Sequence, residues 1–273
     1  MIETFVRAAL DEDLGRGDLF ALIAPLGCGR AVITCKDTGV FAGTVYVQAL
    51  CKMLAIDLTL HVNDGDTLSA GQLLAVLEAE AATLLQAERV CLNLLQHASG
   101  IATQVRGYVN ALEGAPVRLL DTRKTRPLLR AFEKYAVRCG GGTNHRFGLD
   151  DALMLKDTHL ALIGDLTDTL QKARQLLPFT TAIEVECETL EMAKAALKGG
   201  ADIVMCDNMD LETMTQVVAY KRAHFPRVRI EASGNITKER VKAVAQTGVD
   251  AMSCGSLIHQ ATWLDFSMKM ESL

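Results

Sequence analysis

The sequence predicts an α/β protein whose C-terminal part is a parallel sheet interleaved with helices, either a barrel or an open doubly wound sheet. Three observations carry this. Short apolar runs recur from residue 117 onward, amphipathic stretches separate most of them, and each run ends in polar residues or glycine. The runs are VRLL (117–120), ALML (152–155), AIEVE (182–186), DIVMC (202–206), VRIEA (228–232) and AMSC (251–254). Helical spacing lies over 165–177, 189–198, 210–224 and 237–247. Strands alternating with helices of about 10–15 residues imply βαβ units.

Earlier in the chain, residues 1–25 predict a helix and a turn. From about 30 to 80 the pattern is strand-like: AVITC, VFAGTVYV, LTLHV and LLAVLE, punctuated by DTG, NDGD and SAGQ. The NDGDTLSAGQLLAVLEAE piece resembles the hairpin of lipoyl-type carriers but lacks a lysine at its tip, so plain β structure is expected. Residues 81–113 have apolar positions at helical spacing (Leu84, Leu85, Val90, Leu92, Leu94, Leu95), with a break expected at Ser99–Gly100.

Composition narrows the class. Of 273 residues, 49% are hydrophobic and 22% charged, which excludes a disordered chain. No run reaches the ~18 consecutive apolar residues of a membrane span, and MIETFVRAALDEDLGRGD reads as an acidic amphipathic helix, unlike a signal peptide. A soluble, cytoplasmic protein is expected. Eight cysteines without CxxC spacing read as small packing residues in a reducing compartment, and no zinc-ligand spacing is visible.

A net charge of −5 argues against a non-specific nucleic-acid binder. Yet Arg118–Lys156 holds nine Lys/Arg against four acids. Arg130, Lys134 and Arg138, with Glu133, fit a solvated, salt-bridged helix face. DTRKTRP and GGGTNHR instead predict loops, and loops with cations and glycines suit small anions.

The strand ends give the ligand. Asp121–Lys124, Lys156–Asp157, Glu186, Asp207–Asn208, Ser233–Asn235 and Gly255–Ser256 follow the six apolar runs. Carboxyl ends of parallel strands are where α/β folds bind ligands, and a barrel would converge all six on one mouth. Arg123, Lys124, His145, Arg146 and Lys156 then face Glu186 and Asp207. That set suits a polyanion with Mg²⁺, which prefers one or two carboxylates plus substrate phosphates. The GNIT and CGS turns can present N–H groups to a phosphate. Surface ion pairs contribute only about 0–1 kcal/mol, whereas like charges ~4 Å apart repel by about 4 kcal/mol at an effective dielectric of ~20. A multiply charged substrate would relieve such crowding.

At these residues the sequence resembles the quinolinate phosphoribosyltransferases, the decarboxylating type II phosphoribosyltransferase family. The matching pieces are EDLGRGDL (12–19), ERVCLNLLQHASGIAT (88–103), DTRKTRP (121–127), EKYAVRCGGGTNHR (133–146), LMLKDTH (153–159), EVE (184–186), ADIVMCDNM (201–209), EASGNIT (231–237) and GVDAMSCGSLIH (248–259). DTRKT followed by KYAVxCGGGxNHR is highly specific. The resemblance implies an N-terminal α/β open sandwich domain (1–113) and an incomplete TIM-like α/β barrel (114–273), with a tail from about 258 able to pack back on the first domain.

It also implies conversion of quinolinate and phosphoribosyl pyrophosphate to nicotinate mononucleotide, pyrophosphate and CO₂ with Mg²⁺ in de novo NAD biosynthesis. The expected assembly is a homodimer with Arg89 donated across the interface, in some members a hexamer. By position, Arg123, His145, Arg146 and Lys156 match the dicarboxylate pocket and Lys124 its border with the phosphates. Glu186 and Asp207 match the acids near ribose and metal, directly or through water. Ser233, Gly234, Asn235, Gly255 and Ser256 match the phosphate-holding turns. The catalytic set is expected to be Lys124, Lys156, Glu186 and Asp207. Leu128, Thr158 and Cys254 depart from the pattern of many members, and none replaces a charged group.

Other readings differ in what they require. Period-2 alternation would put Glu184, Glu186 and Glu188 on one strand face, and only the resemblance favours Glu186. His97 and His159 read as ordinary core or surface histidines, and Asp157 as structural. A molybdate-operon relative shares the fold. A phosphate-ligand sensor would not need both the acids and the dicarboxylate cations, and a barrel aldolase would use Lys156 as a Schiff base.

Overall fold

The structure is a computed structural model that describes residues 1–23 and 27–271; the part of the predicted N-terminal turn at 24–26 lies outside them. In chain order come α1 (Ile2–Leu14), β1 (Cys28–Cys35), β2 (Gly39–Val40), α2 (Thr44–Met53), β3 (Asp57–Leu60), β4 (Thr67–Leu68), β5 (Leu73–Glu80) and α3 (Ala81–Ala111). Next are β6 (Arg118–Leu120), α4 (Arg130–Cys139), β7 (Leu153–Leu155), α5 (Asp157–Leu160), α6 (Leu166–Leu176), β8 (Ile183–Cys187) and α7 (Leu190–Gly199). The chain closes with β9 (Ile203–Asp207), α8 (Leu211–His224), β10 (Arg229–Ser233), α9 (Val241–Gln246), β11 (Ala251–Ser253), α10 (Ser256–His259) and β12 (Phe266–Glu271). Two compact units result: residues 1–106, 135–141 and 260–273, and residues 107–134 and 142–259. None of the helices is long and apolar enough to cross a membrane, among the described residues.

The first unit is built on an antiparallel sheet in the order β12-β1-β5-β3. Strand β1 alternates buried and less buried positions, so one face carries Ala31, Ile33 and Cys35 into the core. Arg30 stands directly opposite Glu271 on one side and Glu78 on the other, and ion-pairs with both. Two sequence expectations fail here. The strand-like VFAGTVYV contains the start of α2: Tyr46, Val47, Leu50 and Cys51 are its buried residues, a helical spacing masked by β-branched content. The break at Ser99–Gly100 is absent, and α3 runs through it. Its small residues permit close packing instead. Ser99 Oγ accepts from Ala42 N and donates to Ala42 O, and a Cβ on Gly100 would collide with the Thr262 carbonyl.

The second unit is a six-stranded sheet in the order β6-β11-β10-β9-β8-β7, parallel throughout. This is the predicted α/β class, with fewer than eight strands. Helix starts are set by local chemistry: Asp165, Thr189 and Asp210 accept from the backbone N–H three residues on, capping α6, α7 and α8. All five residues of β8 are buried, as expected of a strand covered on both faces. Because every strand runs the same way, all carboxyl ends share one edge of the sheet.

Candidate active site

A cavity of about 500 Å³ opens at that edge. Its wall is supplied by successive elements. Arg123 and Lys124 come from the loop after β6, His145 and Arg146 from the GGGTNHR loop, and Lys156 from the residue after β7. Glu186 ends on β8, Asp207 closes β9, and Ser233, Gly234 and Asn235 form the turn out of β10. Ten of the residues singled out in the sequence therefore share one wall. Lys156 Nζ donates to Glu186 Oε2 at 2.7 Å. Asp207 accepts from Asn208 Nδ2 at 2.7 Å and, among the described residues, has no protein cation paired with it. Gly234 sits at φ +86°, and a Cβ there would strike the Asn208 side chain, so the turn depends on glycine.

Three predicted residues are placed otherwise. Gly255 backs onto Lys124, where a Cβ would approach Cδ to 2.8 Å. The Ser256 hydroxyl is engaged with Tyr108 Oη at 3.0 Å and Cys254 Sγ at 2.8 Å, and neither Gly255 nor Ser256 belongs to the cavity wall. Arg89 lies exposed on α3 in the first unit. Asp157 opens α5 rather than continuing a strand, and its carboxylate accepts from Thr158 N. Glu188 lies beyond the end of β8 and is exposed, so only Glu184 and Glu186 share the buried strand face.

The framework behind the cations contains groups the sequence reading missed. Asp121 is buried and accepts from Lys134 Nζ, from Asn144 Nδ2 at 2.6 Å and from His145 N at 2.9 Å. Lys134 also donates to His145 O at 2.9 Å. Lys134 was expected on a solvated helix face; it and Glu133 are instead fully buried, and Glu133 accepts from the backbone N–H and guanidinium of Arg126. Burial raises the Asp121 carboxyl and lowers the Lys134 amine, and their hydrogen bond and mutual attraction oppose both shifts. Together they fix the loop that carries His145 and Arg146.

Below this loop, His145 Nε2 lies 3.2 Å from Glu184 and 3.3 Å from Glu231. Burial opposes a charged ring, but hydrogen bonds and charge from both glutamates outweigh it and push His145 up to about 10. Arg146 N approaches Nδ1 at 2.7 Å as donor, a bond only the neutral ring can accept. Two buried carboxylates make the charged ring the favoured form, in which Nδ1 turns donor. Arg146 is lowered first by burial and then by Arg123, the mark of two like charges brought together. Glu231 was legible in principle: a lone acid inside the apolar run VRIEA is a buried charge in search of a partner.

All eight cysteines are free and six of them are buried. Burial raises Cys51, Cys187 and Cys206 to about 12, which leaves them packing residues.

Comparison with known proteins decides the family. The family model described as the quinolinate phosphoribosyl transferase N-terminal domain matches residues 21–99, and that of the C-terminal domain matches residues 101–269. The chain belongs to the quinolinate phosphoribosyltransferase family. It is 41% identical to the probable nicotinate-nucleotide pyrophosphorylase (carboxylating) of Synechocystis, over 99% of this chain and 92% of that protein. Its identity to the Bacillus subtilis protein of the same name is 43%, over 94% and 89%. The crystal structure of NadC from Streptococcus pyogenes superposes with a TM-score of 0.92 at 41% identity, covering 100% of this chain and 98% of that one. Leu128, one of the departures noted in the sequence, has a left-handed backbone, at φ 64°. Cys254 is buried and donates to Ile236 O at 3.2 Å.

Proposed function

We propose that this protein transfers the phosphoribosyl group of phosphoribosyl pyrophosphate to quinolinate, releasing CO₂ and pyrophosphate and leaving nicotinate mononucleotide, a step of de novo NAD biosynthesis. The observation that carries this reading is the meeting of Arg123, Lys124, His145, Arg146 and Lys156 with Glu186 and Asp207 on one cavity wall. Guanidinium forks suit bidentate grip of the two ring carboxylates, and lysine acts as a point charge. Lys124 stands where the carboxylate pocket meets the phosphates, and the backbone of Ser233–Asn235 offers N–H groups to a phosphate.

The cations neutralise the pyrophosphate as its bond to the ribose C1′ breaks. The glutamate on β8 and the aspartate on β9 stabilise the positive charge that develops on the sugar carbon. The pyridine nitrogen closes a new bond to C1′ and becomes cationic. The C2–carboxylate bond then breaks, its electron pair stays on C2 beside N⁺, and C2 takes a proton. Glu186 and Asp207 fit a magnesium ion: both offer hard oxygens to the cavity, and Asp207 has no cation paired with it among the described residues. When bound, Mg²⁺ would offset the negative charge that develops on the departing pyrophosphate. The Lys156 amine is engaged with Glu186, unlike the free amine a Schiff base needs.

The same reading makes the protein a cytoplasmic homodimer, with hexamers as a further assembly, in which Arg89 completes the neighbouring subunit's cavity. The test is incubation with quinolinate, phosphoribosyl pyrophosphate and Mg²⁺. Nicotinate mononucleotide and CO₂ in equal amounts are expected; no product, or CO₂ only from another aromatic acid, overturns the assignment. Arg146→Ala should cost about 2–5 kcal/mol in quinolinate use, as truncating one partner of a buried charge pair does, and near-normal kinetics would remove Arg146 from the pocket.

A further inference from the structure

Strands β8 and β10 each place a carboxylate deep in the second unit, Glu184 at 1% and Glu231 at 2% exposure. Glu184 Oε1 and Glu231 Oε1 have no hydrogen-bond partner among the described residues, whereas Glu184 Oε2 and Glu231 Oε2 lie 3.2 and 3.3 Å from His145 Nε2. Their shared neighbour is the His145 ring. Buried carboxylates are costly, and a strand optimised for packing alone would be apolar at both positions. A second cavity, of about 710 Å³, lies behind the first. His145 and Arg146 line both cavities, whereas Glu184 and Glu231 line only the second. The two glutamates thus contact His145 without belonging to the wall that carries Lys156, Glu186 and Asp207. The Glu184 charge also supports the Arg146 guanidinium.

We propose that Glu184 and Glu231 are positioning residues, which clamp His145 through Nε2 and so hold the His145–Arg146 pair in the anion-binding cavity without touching substrate. This rests on the quinolinate reading of that cavity. The other ring nitrogen, Nδ1, lies 2.7 Å from Arg146 N, so the clamp on Nε2 is relayed directly to the backbone of Arg146. It also accounts for the charge placed inside β8 and β10, two strands separated in the sheet by β9: each carboxylate offsets part of the repulsion among the gathered cations. Because the effect passes through His145, its loss should weaken carboxylate binding and leave binding of the sugar donor alone.

The experiment compares Glu184→Gln and Glu231→Gln, which keep shape and a carbonyl acceptor, with wild type and with the same changes made in a His145→Ala background. Each single variant should raise KM for quinolinate at least tenfold, with KM for phosphoribosyl pyrophosphate within twofold and kcat changed less than KM. In the His145→Ala background Glu231→Gln should have under twofold effect, because the clamp has nothing left to hold, and Glu184→Gln should cost less than it does in wild type, keeping only the part of its charge that reaches Arg146 directly. Full additivity there, or an unchanged quinolinate KM in both single variants, overturns the proposal. Nitrogen-15 spectra of the histidine rings in the unliganded protein supply a readout independent of turnover. The His145 resonances should change in both glutamine variants, and unchanged resonances overturn the clamp. If wild type fails to use quinolinate while those resonances do change, the functional reading falls and the clamp on His145 stands.

Discussion

At His145, burial and two carboxylates compete for one proton, and the carboxylates prevail. A raised histidine value stabilises the fold fully below the ordinary value near 6.5, and the gain is lost as pH rises through about 10. The thermal midpoint of wild type should therefore fall between pH 7 and pH 10 more steeply than that of His145→Gln. Parallel slopes would show that the ring does not hold its proton so tightly. Leu128 offers a second test. It is exposed at φ 64°, a conformation costing a non-glycine residue roughly 1–2 kcal/mol, part of which glycine returns through unfolded-chain entropy. Leu128→Gly should stabilise by up to about 1 kcal/mol in denaturant unfolding, and a loss of stability would mean that the side chain has a packing role. Much of the site was legible residue by residue, since polar residues follow each apolar run, although strand parity alone left Glu184, Glu186 and Glu188 on one face and only the resemblance favoured Glu186. The buried Asp121–Lys134 pair was not. In EKYAVRC the charges recur at the spacing of a solvated helix face, and the partner that draws Lys134 inward lies in a loop 13 residues away.

At the scale of elements, the C-terminal strands and helices followed the sequence because apolar runs, polar caps and glycine turns all agreed there. The N-terminal region misled where local cues competed. The Val and Tyr content of TVYV mimicked a strand although its buried set has helical spacing. In α3 the pair Ser99–Gly100 serves contact instead of termination, because Gly100 meets the backbone of Thr262 and Trp263. Gly100→Ala should keep α3 helical yet destabilise by about 1–3 kcal/mol, the usual cost of overpacking. A stabilised variant, as helix propensity alone would give, would contradict that close approach.

At the scale of the whole molecule, function comes from convergence: no strand end holds the ligand alone, and cations 33 positions apart in sequence, Arg123 and Lys156, reach one wall. The proposed sharing of Arg89 between subunits predicts that mixing inactive Arg89→Ala and Lys156→Ala proteins restores activity, since hybrid dimers regain one complete cavity. No recovery despite confirmed subunit exchange would count against it. The central claim is that these cations grip a doubly ionised pyridine acid, and equilibrium titration of quinolinate against nicotinate tests it most directly. Wild type should bind quinolinate far more tightly than the monocarboxylate, and Arg146→Ala should lose at least about 30-fold in quinolinate affinity, equivalent to some 2 kcal/mol. Equal binding of the two acids, unchanged by Arg146→Ala, would contradict it.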